Sequence, residues 1–148
     1  MKSVFEQSTR EELIGRISSV TESSTPQWGK MNVYQMLRHC STWDAWVLSK
    51  KPNKQVFMGR LFGHMALKKV LKDDSPLGRN SPTGAEFRIT ETGGDIAAEK
   101  EKWISLIKQY DGFNNLDFVH LFFGKMTNEQ IGYMAYKHAD HHLRQFSC

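Results

Sequence analysis

The C-terminal segment carries three of the chain's six histidines within five residues, at His138, His141 and His142. His138 and His142 are four residues apart, so on an α-helix their side chains lie on one face, one turn apart. Two neutral imidazoles in this arrangement can bind the same divalent metal ion. A third ligand must come from another part of the chain, and His39 is the candidate that the sequence offers.

The position of these two histidines on the helix indicates that they face the protein interior. On a helical wheel, where each residue advances by about 100°, His138 and His142 fall about 20° either side of Ile131. Lys137 and Asp140 lie on the opposite side. Burying two adjacent imidazoles without partners costs free energy. Two interpretations therefore remain open, namely metal binding and hydrogen bonding of each ring to tyrosine or backbone groups.

Apolar periodicity and capping patterns predict the helices that position these residues. The predicted segments are 8–21, 32–49, 57–71, 95–110 and 127–146. Capping boxes at Ser8–Glu11, Asn32–Gln35 and Thr127–Gln130 mark three of the beginnings. Residues 72–94 are rich in proline and glycine, which is typical of a lid or a crossover. Four long helices without a convincing strand pattern predict an all-α bundle, with 57–71 as a shorter basic helix.

Length and composition favour one domain, which we assign to residues 1–148. The N-terminus lacks the apolar region of a signal peptide, and the densest apolar run, 118–123, is too short to cross a bilayer. Cys40 and Cys148 do not form a disulfide framework. We therefore expect a reduced, soluble, cytoplasmic protein with no membrane partner.

The net charge of +4 has a local source, because the stretch 50–72 contains seven basic residues and no acidic residue. A charge block of this kind is typical of a solvated surface. The alternative is that it attracts an anionic ligand or a nucleic acid. We favour the solvated surface.

The sequence lacks the residue patterns that a zinc protease or a cysteine–histidine nucleophile pair would need. The pattern at His138–His142 is not His-Glu-x-x-His, so a zinc protease would lack its base. Cys40 follows His39 directly, and neighbouring side chains on a helix point about 100° apart, which prevents a nucleophile–base pair. His64 and His120 are assigned structural or surface roles, with His120 expected to cap the turn before the last helix.

Two motifs resemble those of the DinB/YfiT-like superfamily of metalloenzymes. One runs from Trp28-Gly29-Lys30-Met31 through Met36-Leu37-Arg38-His39, and the other is the His-x-x-His-His-x-x-Gln helix from His138 to Gln145. Tyr136–Phe146, together with His120-Leu121-Phe122-Phe123-Gly124, is most similar to a bacterial branch known only as a domain of unknown function. That branch often has proline where this chain has Leu121.

The resemblance implies a four-helix bundle with a long crossover between its second and third helices, carrying a short extra helix. It also implies one divalent metal ion, typically zinc or nickel, bound by His39, His138 and His142. His141 and Gln145 occupy the positions of residues that support the ligands. Some members of the superfamily transfer low-molecular-weight thiols, others hydrolyse small substrates, and many form homodimers.

Three functional hypotheses follow. The first is a metal-dependent enzyme, a thiol transferase or a small-molecule hydrolase, in which three histidines leave one coordination position open. The second is a non-catalytic metal-binding or stress-associated protein, in which the ion mainly joins helices. The third, which we favour least, is a nucleic-acid binder that uses the 50–72 stretch. The sequence does not identify a substrate.

Overall fold

A computed structural model describes residues 1–81 and 83–148. Pro82, within the predicted 72–94 loop, lies outside the described residues. The described part is mostly helical, with five α-helices, two short 3₁₀ helices and one two-stranded antiparallel sheet. The α-helices are α1 Gln7–Ser19, α2 Val33–Leu48, α3 Phe57–Val70, α4 Ile96–Gln109 and α5 Asn128–Gln145. The 3₁₀ helices are Ala85–Phe87 and Tyr110–Gly112, and the strands are β1 Val119–His120 and β2 Gly124–Lys125.

The helices that carry the histidines begin where the sequence predicts. The side chains of Asn32 and Thr127 each accept a hydrogen bond from the backbone N–H three residues on. The side-chain oxygens of Gln35 and Gln130 in turn accept hydrogen bonds from the backbone N–H groups of Asn32 and Thr127. Asp95 caps α4 in a similar way by accepting from the backbone N–H three residues on. Such caps satisfy donors that the first helical turn leaves without partners.

The predicted capping box at Ser8 is wrong. Helix α1 begins at Gln7, and its N-cap residue Glu6 makes no side-chain capping bond. The chain before the helix is held instead by the buried Arg10, whose guanidinium donates to the carbonyls of Val4 and Phe5 at 3.2 and 2.7 Å. Bonds from an arginine to carbonyls five and six residues before it are not part of the capping pattern that a sequence shows.

The core lies where the apolar faces of four helices meet. Helix α2 packs against α4 and α5, and α1 packs against the same two helices. The fully buried side chains at these contacts include Leu13, Ile17, Met36, Val47, Trp103, Ile107, Ile131 and Leu143. Helix α5 therefore packs against both α1 and α2, and its histidine pair lies beside His39 of α2.

The sequence has no convincing strand pattern, but residues 119–125 form a small hairpin within the mostly helical structure. In this hairpin Val119 pairs with Lys125, and His120 pairs with Gly124. Gly124 adopts a φ of +81°, a left-handed conformation that glycine tolerates best. Strands of two residues are too short to produce the alternation of apolar and polar residues by which strands are recognised in a sequence.

Helix α3 packs against this hairpin through Gly59 and Gly63. A Cβ atom placed on Gly59 or Gly63 would lie only 2.4 or 2.1 Å from the carbonyl oxygen of Phe122. The opposite face of α3 is exposed and apolar, with Phe57 71% exposed and Met65 64% exposed. None of the helices in the described ranges has both the length and the apolar composition of a bilayer-crossing segment.

A buried carboxyl joins α2 to α4 and its C-terminal 3₁₀ turn. Asp44 is only 1% exposed, and it accepts hydrogen bonds from Trp103 Nε1 at 2.7 Å and from the Tyr110 hydroxyl at 2.6 Å. Burial raises the pKa of Asp44 to about 7, although the two hydrogen bonds oppose this shift. The folded protein therefore binds this proton more tightly than the unfolded chain does.

We predict that this carboxyl makes the protein less stable as the pH rises. A folded pKa of about 7, above the ordinary value of 3.8, gives a contribution to stability that is complete in acid and is lost between about pH 4 and pH 7. The loss is about 4 kcal/mol at most, since one pKa unit corresponds to about 1.4 kcal/mol. Asp44→Asn should show a smaller fall in the free energy of unfolding between pH 5 and pH 8.

Urea denaturation at several pH values measures this difference. Asp117→Asn, a change at an exposed aspartate, is the matched control and should keep the wild-type pH dependence. A wild-type protein that becomes more stable from pH 5 to pH 8, with Asp44→Asn following the same curve, would contradict the prediction.

Candidate metal centre

Three histidines from two helices meet inside the protein. His39 comes from α2, and His138 and His142 come from α5. One potential ligand atom from each ring lies within 4.8 Å of the other two, and the ring centroids are 4.8–5.1 Å apart. All three residues are buried. The structure thus brings together the three residues that the sequence analysis selected as metal ligands.

The orientation of His39 is set by the loop between α3 and α4. Its Nδ1 lies 2.9 Å from the carbonyl oxygen of Phe87, in the short 3₁₀ helix of that loop. A carbonyl oxygen only accepts hydrogen bonds, so Nδ1 carries the proton. The lone pair of His39 is therefore on Nε2, the atom that faces the other histidines.

His142 is oriented in the same way by Gln145. Its Nδ1 lies 2.9 Å from Gln145 Oε1, and Gln145 Nε2 donates to the carbonyl oxygen of Trp28 at 2.7 Å. The second bond fixes which end of the amide faces His142. We therefore assign the proton of His142 to Nδ1 and its lone pair to Nε2.

His138 lies between these two rings and its proton is not fixed in the same way. Its Nδ1 is buried and has no hydrogen-bond partner among residues 1–81 and 83–148. Its Nε2 is 3.1 Å from His39 Nε2, and its ring packs against Trp43 with centroids 4.3 Å apart. Since His39 Nε2 holds a lone pair, a proton or a cation must lie between the two atoms.

The donor set fits a divalent metal ion. Metal–nitrogen bonds of about 2.0–2.1 Å in a tetrahedral site place two ligand nitrogens about 3.3–3.4 Å apart. The 3.1 Å between His39 and His138 is close to this separation. The other two pairs of ligand atoms can reach this separation through small movements of side chains, because all three atoms lie within 4.8 Å of one another.

The electrostatic environment keeps the three imidazoles neutral. Burial lowers the pKa of His142 to about 3, with the neighbouring His39 adding to the effect. Burial also lowers the pKa of His39, and it lowers the pKa of His138 well below its ordinary value, helped by the other histidines. Neutral imidazole is the form that binds metals.

The two residues expected to support the ligands are placed differently. Gln145 contacts His142 directly, as described above. His141 is half-buried, packs edge-on against Trp28 with centroids 5.6 Å apart, and makes no hydrogen bond to His39, His138 or His142. His64, for which a structural or surface role was expected, is exposed on α3.

A cavity of about 460 Å³ opens beside the three histidines. Its walls are mainly aromatic and aliphatic, and they include Trp43, Phe87, Leu121, Phe122, Phe123 and Met134. The volume is within the range of about 300–1,000 Å³ that is typical of small-molecule sites. No sequence pattern indicates Phe87, because it contributes a backbone carbonyl, which every residue has.

The side of α5 opposite the histidines is also buried. The Lys137 ammonium donates to the carbonyl oxygens of Val70, Asp73 and Ser75 at 2.6–2.9 Å. These bonds attach the end of α3 and the following loop to the helix that carries the histidines. Asp140 is paired with Arg16 at 2.8 Å and is also bonded to Arg144.

We predict that Gln145→Ala destabilises the protein and that the proton of His142 is then no longer held on Nδ1. The change removes the bonds to His142 and to the Trp28 carbonyl, at an expected cost of about 1–3 kcal/mol for groups left buried. Urea denaturation measures the first effect, and long-range ¹H–¹⁵N NMR of the imidazoles measures the second. Gln7→Ala, at an exposed glutamine, is the control. A variant with unchanged stability and a His142 proton still on Nδ1 would contradict the assignment.

Comparison with known proteins gives a family but no individual relative. A family model described as "Protein of unknown function (DUF1569)" matches residues 5–148. No curated protein and no solved structure matches the chain. The match covers both helices of the histidine cluster and the loop that orients His39. The chain belongs to the DUF1569 family.

Proposed function

We propose that the protein is a metal-dependent enzyme of the DinB-like type, with one divalent ion bound by His39, His138 and His142. The observation that carries this proposal is the convergence of three buried, neutral imidazoles beside a cavity. Two of the rings already have their protons on Nδ1, directed away from the cluster. The ligand assignment and the metal remain predictions, with zinc or nickel expected.

The arrangement of the helices supports the DinB-like assignment. In this proposal α1, α2, α4 and α5 form the four-helix bundle, and the connection from α2 to α4 is the long crossover. Helix α3, with 14 residues, is the extra helix of that crossover. The third ligand then comes from the second bundle helix and the other two from the fourth, as the resemblance implies.

Three protein ligands leave a coordination position for a substrate or water. A bound divalent ion would supply the acidity needed to form hydroxide or thiolate near neutral pH. The residues of this chain would orient the ligands through Phe87 and Gln145 and keep bulk water away with the apolar cavity walls. We propose thiol transfer, with a low-molecular-weight thiol, or hydrolysis of a small molecule as the reaction.

A non-catalytic role is the second candidate, and one observation favours it. The ligands come from α2 and α5, so an ion would join two helices that are far apart in the sequence. In that case metal removal would lower stability without any loss of turnover. The cavity beside the histidines is the feature that favours the enzyme.

The first test is the metal content of untagged protein. Wild type should bind about one equivalent of zinc or nickel, and His142→Ala should bind none, because two ligands hold the ion far less tightly than three. His64→Ala, at an exposed histidine of α3, should bind as wild type does. Elemental analysis after dialysis provides the measurement. One full equivalent in His142→Ala, or none in wild type supplied with metal, would refute the site.

The second test separates the two roles. With free metal at about 100 times its dissociation constant, binding should stabilise the fold by about 2.7 kcal/mol in either case. Only the enzyme should also show metal-dependent turnover in a screen of thiol-transfer and hydrolysis substrates. Stabilisation without turnover, in a protein that retains its metal throughout, would favour the non-catalytic role.

A further inference from the structure

A fourth histidine lines the cavity and has the opposite proton arrangement. His120, at the end of β1, accepts hydrogen bonds at Nδ1 from the backbone N–H groups of Phe122 and Phe123, each at 3.1 Å. Backbone N–H groups only donate, so Nδ1 carries a lone pair. The proton of His120 is therefore on Nε2, whereas His39 and His142 carry theirs on Nδ1.

The ring of His120 is held firmly in the wall of the cavity. It packs against Phe123 with centroids 4.5 Å apart and edge-on against Trp46 at 5.3 Å. It lines the same cavity as His39, His138 and His142. No atom of residues 1–81 or 83–148 accepts a hydrogen bond from its Nε2, so this donor is available to a bound molecule.

The imidazole of His120 acts as a neutral donor over the physiological pH range. Burial lowers the pKa of His120 to about 4. A neutral ring whose Nε2 carries the proton cannot accept a proton or bind a metal at that atom. The chemistry left to it is the donation of one hydrogen bond to an acceptor atom inside the cavity.

We propose that the cavity binds a small acyl compound whose carbonyl or carboxylate oxygen accepts a hydrogen bond from His120 Nε2. The apolar part of the compound would contact the walls formed by Leu121, Phe122 and Met134. An acyl oxygen matches a fixed donor, because it only accepts hydrogen bonds and remains an acceptor whether it is neutral or charged. This inference rests on the proposed function, since it takes the cavity beside the three histidines as the substrate site.

His120 also caps the hairpin turn, and two substitutions separate that role from ligand binding. In His120→Asn the side-chain oxygen can replace Nδ1 as the acceptor for the two backbone N–H groups, but the donor at the Nε2 position is lost. In His120→Gln the amide nitrogen can reach the Nε2 position, but the acceptor for the turn is lost. A purely structural role therefore predicts damage in the glutamine variant and none in the asparagine variant.

The experiment uses phenylacetate as the probe and zinc-loaded, untagged protein. NMR titration should show saturable binding to wild type, with shifts at residues lining the cavity. His120→Asn should keep its zinc and its melting temperature but bind phenylacetate about tenfold more weakly or worse, as expected for a lost bond to a charged acceptor. The glutamine variant should melt at a lower temperature and lose less affinity than the asparagine variant.

Three results would overturn the inference. These are affinity of His120→Asn within twofold of wild type, absence of phenylacetate binding by zinc-loaded wild type, and a proton on Nδ1 of His120 in long-range ¹H–¹⁵N NMR. If wild type takes up no metal, the proposed function fails separately. The His120 proton and the phenylacetate affinity of the metal-free protein then still decide this inference.

Discussion

The candidate site depends on two hydrogen bonds made by Nδ1 atoms, one on each helix that supplies ligands. The carbonyl of Phe87 fixes His39, and the amide of Gln145 fixes His142. Buried imidazoles need partners for their polar atoms, and a partner on one nitrogen determines what the other nitrogen can do. Because both partners accept, both Nε2 atoms keep their lone pairs, and that of His39 lies 3.1 Å from His138 Nε2.

The rest of the structure holds these two partners in place. Gln145 is fixed through the Trp28 carbonyl, so the segment after α1 supports the C-terminal helix. The loop that supplies Phe87 lies between α3 and α4, and its first part is tied to α5 by Lys137. Asp44 joins α2 to α4 from within the core. The cluster is therefore supported by contacts from several elements and does not depend on one helix pair.

The features that could be predicted from the sequence are local ones. The beginnings of α2 and α5 follow from Asn32 and Thr127, because a capping box lies within four consecutive residues. The inward face of α5 could be predicted from the apolar periodicity, and this prediction placed His138 and His142 on that face. The Phe87 carbonyl could not be predicted, because every residue has a carbonyl and only the fold selects one. The burial of Lys137 is hidden for the same reason, since its partners are backbone atoms.

The hairpin is a second example of a feature that could be predicted from the sequence only in part. Its strands have two residues each. His120 caps the turn between them because its Nδ1 accepts hydrogen bonds from the backbone N–H groups of the two residues at 122 and 123. A histidine capping a turn could be expected from its position before Phe122 and Phe123. The location of its proton requires knowledge of which atoms face Nδ1, and only the folded backbone provides this.

The glycine contact between α3 and the hairpin has a consequence for the width of the cavity. Val56 and Val70, just before and at the end of α3, both line the cavity, while Gly59 and Gly63 lie against the Phe122 carbonyl between them. A helix that rests on backbone atoms has no side chain that could adjust to a change at this contact. An added methyl group at either glycine would force α3 or the hairpin to shift, so two positions without a side chain help to set the width of the cavity.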